Sequence, residues 1–178
     1  MAQKRSISRK GVIPGMTRLL QLAGAAVIAG VTVAVTCTGS GRAAGTAAFA
    51  IVASQTPANG ELNFNGADKG RLVITVPVGA AVQLTLTNKG SLPHSLQVIA
   101  YTDHPPAQAT TAVFPGAETK NPTAGIVKGQ TAVAQFTASK PGKYLLICGF
   151  PGHALLGMYG VFQVSPSASA QPSLVINK

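Results

Sequence analysis

Between Ala81 and Asn88 the stretch AVQLTLTN alternates apolar and polar residues at period two, which puts Val82, Leu84 and Leu86 on one side of a sheet. Apolar runs of similar length recur at Ser95–Tyr101 (SLQVIAY), Thr131–Thr137 (TAVAQFT), Lys143–Cys148 (KYLLIC) and Met158–Val164 (MYGVFQV), with Gly, Pro or Asn marking the turns between them. In ELNFNGADKGRLVITV, from Glu61 to Val76, the Asn65-Gly66 pair tolerates the positive backbone angles of a hairpin connection, so a strand is expected on either side. No helical period of useful length interrupts this series. Six or seven short strands at such spacing predict an all-β sandwich or barrel. The stretch Thr102–Lys128 breaks the rhythm with Pro105, Pro106, Pro115 and Pro122, and reads as an irregular excursion holding no more than a short strand or turn. From Ser165 onward the Ser/Ala/Pro-rich tail reads as loose, with SLVIN available for an edge contact.

A different pattern occupies the N-terminus. Leu19–Gly41 carries no charge and follows Lys4, Arg5, Arg9, Lys10 and Arg18, the flank expected of a transmembrane or signal helix with its basic end in the cytoplasm. The length of the run favours an uncleaved anchor, while cleavage would give a secreted protein; either way the domain faces outward, at the cell surface or in a periplasm, on the outer face of the cytoplasmic membrane. The chain is accordingly divided into a basic N-terminus and anchor or signal segment (1–37), a flexible Gly/Ala/Ser/Thr-rich linker (38–60), a folded domain (61–164) and a tail (165–178).

Charge changes this picture little. The net +10 resembles a nucleic-acid protein only until the lysines and arginines are located: five lie in the N-terminal flank, and those of the domain are scattered singly without interleaved aromatics. Nucleic acid is therefore excluded as a partner. Four acidic residues leave few paired carboxylates to protonate as pH falls, which suits an acidic exterior.

The chemistry is concentrated in CGFPGHALLGMYG. Of two cysteines, three histidines and three methionines in the chain, Cys148, His153 and Met158 stand in one loop, separated by four residues each. Thiolate, imidazole and thioether are the soft and borderline donors that hold copper, and the Gly and Pro residues between them let a loop fold back on itself. An electron-transfer copper centre takes two imidazoles, so a second histidine is needed. His94 follows Pro93 just before a strand, where it is better held than His104 in the prolines of the excursion, which reads as a solvent-exposed loop residue. Cys37, at the end of the apolar run, reads as an incidental apolar residue rather than a lipidation site or a disulfide partner of Cys148.

A histidine in LPHSL followed by Cys, four residues, His, four residues and Met resembles the blue copper proteins, the cupredoxins; LPHSL and PGHALLGMYG are most similar to the sulfocyanins, with rusticyanin next. The resemblance covers about Glu61–Val164 and implies a Greek-key β-sandwich or barrel. It also implies one copper ion cycling between Cu(I) and Cu(II), with His94, Cys148 and His153 as equatorial ligands and Met158 as the axial one. Ser95, directly after His94, is implied to place a hydroxyl hydrogen bond beside the ligands. The expected function is one-electron carriage in a respiratory chain by a monomer, between redox partner proteins such as a cytochrome or terminal oxidase. A copper-delivery or storage protein is the alternative. An enzyme is not expected, because Cys148 lies between Ile147 and Gly149 rather than between two histidines, and the loop lacks the second cysteine of a binuclear centre.

Overall fold

The structure, a computed structural model, describes residues 46–178; the expected anchor or signal helix, Cys37 and the start of the linker lie outside the described residues. The described residues form eight strands: β1 (Ala47–Ala53), β2 (Leu72–Pro77), β3 (Ala81–Asn88), β4 (Gln97–Ala100), β5 (Thr131–Thr137), β6 (Gly142–Ile147), β7 (Tyr159–Ser165) and β8 (Ser173–Ile176). They form two mixed sheets, one ordered β1-β3-β5 and the other β4-β6-β7-β2-β8. The pairs β1–β3 and β2–β7 are parallel and the rest antiparallel. Among the described residues no helix is long and apolar enough to cross a membrane.

The alternation in the sequence becomes the two faces of this sandwich. In β3, Val82, Leu84 and Leu86 are buried as expected and the residues between them are not. They join one core with Ile51 of β1, Phe136 of β5, Ile74 of β2, Leu146 of β6 and Phe162 of β7, so side chains of both sheets share a single apolar layer. Phe136 and Phe162 meet across it with ring centroids 5.6 Å apart. Strand β6 departs from alternation and is buried from Tyr144 to Ile147. Its second face packs Leu145 and Ile147 with Ile99 and Ala154 in a smaller cluster, and a strand covered on both sides reads as a continuous apolar run.

Two sequence expectations are corrected and a third is realised. The linker was placed at 38–60, yet Ala47–Ala53 is a strand with Ile51 and Ala53 fully buried. Alanine-rich composition concealed it, because AAFAIVA shows no alternation of apolar and polar residues. The tail from Ser165 contributes β8, which pairs antiparallel with β2 at the sheet edge, realising the edge contact open to SLVIN. At Asn65-Gly66 the tight turn forms, with φ of 52° and 78°, and Phe64 and Ala67 exchange both backbone hydrogen bonds at 2.8 Å. The strand expected before it is reduced to Phe64, which bridges Ala67 and also Ala53 and is preceded by a 3₁₀ turn at Ala58–Glu61.

The excursion between β4 and β5 has no strand, only isolated bridges from His94 to Ile126 and from Gln97 to Glu118. It is nonetheless tied down. Val113 N–H donates to Val98 O (2.9 Å), Val98 N–H to Ala117 O (2.8 Å) and Thr119 N–H to Leu96 O (2.9 Å), which occupies the free edge of β4. The buried Gln97 side chain adds bonds to both backbone groups of Thr110 and to the Glu118 carboxylate. Phe114 then reaches the core, stacking on Phe136 and meeting Tyr144 edge-on.

Candidate metal centre

Two separate pieces of chain build the site. Cys148 comes directly after β6, and the loop from Cys148 to Met158 returns to β7. The loop is closed at its base by Cys148 N–H to Met158 O (3.1 Å) and internally by Met158 N–H to His153 O (2.9 Å), so the backbones of all three predicted loop residues are locked together. Neighbours clamp it from outside: Gly152 N–H donates to Ala107 O (2.7 Å), Ala109 N–H to Gly149 O (2.9 Å) and Lys69 N–H to Gly157 O (2.7 Å). The four-residue spacings are what such a doubled-back loop requires.

His94 enters from the loop before β4. Its backbone exchanges two hydrogen bonds with Ile126, His94 N–H to Ile126 O at 3.1 Å and Ile126 N–H to His94 O at 2.7 Å. The excursion thus fixes the histidine that the sequence placed at a strand end. The result is a cluster in which one donor atom each from His94, Cys148 and His153 lies within 4.8 Å of the others. Cys148 Sγ is 3.9 Å from His94 Nδ1 and 3.5 Å from His153 Nδ1, and the two imidazole centroids are 5.0 Å apart. Met158 is fully buried at the end of the same loop. His104 is exposed and stands outside the cluster, in keeping with its reading as a solvated loop residue.

Burial sets the electrostatics. His94 is wholly enclosed, and desolvation, with a smaller contribution from neighbouring His153, pushes its pKa down to about 4. Burial lowers His153 in the same way. For Cys148 burial acts in the opposite sense, raising the thiol pKa, although the Ser95 and Phe150 backbone N–H groups favour the thiolate. Without a cation the three groups are therefore neutral at pH 7, and burying them carries no unpaired charge.

Ser95 lies where the sequence placed it, with a refinement of its role. Its backbone N–H, at 3.4 Å, is the group that faces Cys148 Sγ; its hydroxyl is 4.0 Å from the sulfur. The hydroxyl donates to Pro122 O (2.6 Å) and accepts from Gly149 N–H (2.9 Å). It therefore ties the excursion to the residue after Cys148. A contact absent from the sequence reading is Ser54, whose Oγ is 2.7 Å from His94 Nε2. It belongs to the stretch that composition assigned to the linker, and no sequence signal distinguishes it.

At the surface the loop presents Leu155 and Leu156, 57% and 61% exposed, with Pro151 also exposed. His153, 6% exposed, packs on the half-buried Phe150 ring at 4.7 Å between centroids. One thiol and two imidazoles with no carboxylate among them form a soft and borderline set, fixed before any metal arrives, and a copper ion fits that set.

Known proteins are similar to this chain in sequence and in fold. The model of the sulfocyanin (SoxE) domain matches residues 41–176. Sulfocyanin of Sulfolobus acidocaldarius is 32% identical over 132 residues, 70% of this chain and 66% of that protein. Auracyanin-B of Chloroflexus aurantiacus is 31% identical over 106 residues, 52% of this chain and 45% of that protein. The chain thus spans just under two thirds of the first relative's length and under half of the second's. Among solved structures, dithionite-reduced auracyanin from the photosynthetic bacterium Roseiflexus castenholzii superposes with a TM-score of 0.51 at 25% identity, covering 67% of this chain and 98% of that one.

Proposed function

Since the chain belongs to the sulfocyanin family of blue copper proteins and takes one copper ion, we propose that it is an extracytoplasmic one-electron carrier of a respiratory chain, with His94, Cys148, His153 and Met158 as the ligands. The observation that carries this reading is the convergence, in a buried pocket, of a thiol and two imidazoles from segments more than fifty residues apart, each held by backbone hydrogen bonds. Copper supplies a one-electron couple, and electrons move through it quickly only if the surrounding groups need not rearrange.

The chain's own residues meet that condition. Cys148 would give up its proton to hold a cation, and the N–H groups of Ser95 and Phe150 would then face a thiolate. The hydrogen bonds from Ile126 and from within the loop hold the backbones of His94 and His153, and would do so whichever oxidation state the ion took. The core beneath, including Met158 and Phe162, excludes water and favours the less charged reduced ion, so the potential is high.

Leu155, Leu156 and Pro151 make an uncharged apolar rim beside the nearly buried His153, which suits brief docking to a cytochrome or terminal oxidase and rapid release. Partner class, attachment through the N-terminal segment and a monomeric state belong to this proposal. So does a role as carrier rather than enzyme, supported by Ile147 and Gly149 on either side of Cys148.

Visible and electron-paramagnetic spectra of the purified chain titrated with copper test the reading. A carrier turns intensely blue with Cu(II) and bleaches reversibly on reduction, and Cys148→Ser abolishes the colour. Tight binding of Cu(I) without any blue oxidised form would assign the chain to copper delivery instead.

A further inference from the structure

We propose that Ser54 is a positioning residue for the copper centre: by accepting the Nε2–H of His94 it holds that imidazole in the one tautomer whose Nδ1 lone pair faces Cys148. This rests on the metal-ligand reading of His94 given above, and it follows from counting protons. A serine hydroxyl has one hydrogen to donate. Ser54 Oγ lies 2.7 Å from Glu61 O, a carbonyl that can only accept, so the hydroxyl hydrogen goes there. The same Oγ lies 2.7 Å from His94 Nε2, and with its hydrogen already used it can only accept. Nε2 therefore carries the hydrogen. A neutral imidazole protonated at Nε2 has its lone pair at Nδ1, the nitrogen 3.9 Å from Cys148 Sγ.

The seat of this hydroxyl is built by several segments. Ser54 follows β1 immediately with φ of 56°, and its backbone N–H is fixed to Asn63 O at 3.0 Å. The Glu61 carboxylate accepts from the backbone N–H of Ser91 at 3.0 Å and from its hydroxyl at 2.9 Å, which anchors the residue whose carbonyl receives the Ser54 hydrogen. Gly90 completes the seat, because a Cβ there would stand 2.2 Å from Ser54 Oγ and 2.4 Å from its Cβ. Ser54 is 8% exposed and His94 fully buried, so loss of the hydroxyl leaves a buried N–H without its partner. Nothing then favours the hydrogen at Nε2, and the form with its hydrogen on Nδ1, facing the Cys148 sulfur, becomes populated; Nδ1 is the position a metal needs free. Groups that orient a ligating histidine typically matter about 10- to 100-fold in metal affinity.

The test compares the full chain with Ser54→Ala and Ser54→Gly. Both remove the hydroxyl, but glycine relaxes the left-handed backbone and alanine does not, which separates hydrogen bonding from strain. Proton–nitrogen correlation spectra of ¹⁵N-labelled, metal-free protein at pH 7 report the His94 tautomer directly, and Cu(II) affinity is measured alongside. The expected wild type shows only the Nε2–H form with a slowly exchanging hydrogen. In both variants the Nδ1–H form becomes populated, the hydrogen exchanges about 10-fold faster or more, and Cu(II) binds roughly 10- to 100-fold more weakly. Wild-type tautomer and exchange in both variants, or a change in only one of them, would overturn the proposal. The tautomer is read without metal, so a chain that shows it fixed by Ser54 yet never turns blue would retain this inference while losing the electron-carrier reading.

Discussion

Gly125 offers a direct measure of how firmly the excursion holds His94. It sits at φ +70°, and a Cβ built there would lie 2.9 Å from both the N and the O of His94 and 3.0 Å from its carbonyl carbon. All three are backbone atoms, which cannot swing aside as a side chain can. Replacing the glycine by alanine costs about 1–2 kcal/mol for the left-handed backbone alone. The clash also pushes His94 away from the segment that binds it, weakening the two hydrogen bonds to Ile126 at about 1 kcal/mol each. Gly125→Ala is therefore expected to lose about 2–4 kcal/mol. Gly129 is the internal control: its φ is +81°, and nothing lies within 4 Å of a Cβ there, so Gly129→Ala carries only the conformational cost. Urea unfolding of the two metal-free variants beside the parent chain gives the difference, and the blue band of the copper-loaded proteins shows whether His94 has moved. Gly125→Ala should alter that band and Gly129→Ala leave it unchanged. Equal destabilisation with two unaltered spectra would refute the claim that the excursion sets the histidine's position.

Three further outcomes are expected. His94 has a pKa of about 4 in the folded chain against 6.5 for an ordinary histidine, so the unfolded state binds protons first; metal-free stability is full above pH 6.5 and falls as pH drops from there toward 4. The loss is about 2–3 kcal/mol, read from urea midpoints across that window, and the copper-loaded chain should lose at least as much, because only its unfolded state, released from the metal, can take up the protons; a flat metal-free profile would contradict the burial argument. Phe162→Ala, removing a fully buried ring from the layer between the sheets, should cost about 3–5 kcal/mol by denaturant unfolding without abolishing copper binding. Leu156→Asp, at an exposed position of the ligand loop, should leave the spectrum intact and slow electron exchange with a redox partner about 10-fold in stopped-flow mixing, whereas an unchanged rate would move the docking face elsewhere.

The acid-tolerance argument from composition acquires a qualification from the first of these. Few carboxylates remain true of the chain, but the buried histidines of the site supply an acid-sensitive element that composition does not reveal. Copper then matters to stability as well as to redox chemistry.

The sequence by itself determined the strand pattern of β3, β5, β6 and β7, the tight turn at Asn65-Gly66, and the donor set of His94, Cys148 and His153. Apart from His94, which the donor set of a copper centre required from elsewhere, these depend on local features: period-two burial, a residue pair tolerant of positive φ, and a loop whose spacing brings its own ends together. Only the tertiary structure decided that Ala47–Ala53 is a core strand, because its stability comes from pairing with β3 and burying Ile51, not from any signal of its own. The same holds for the parts that steady the ligands. Ser54 and Gly125 touch His94, Gly90 seats Ser54, and Pro122 accepts from Ser95; these contacts join distant segments, and alignment across such distances is a property of packing that no local pattern records.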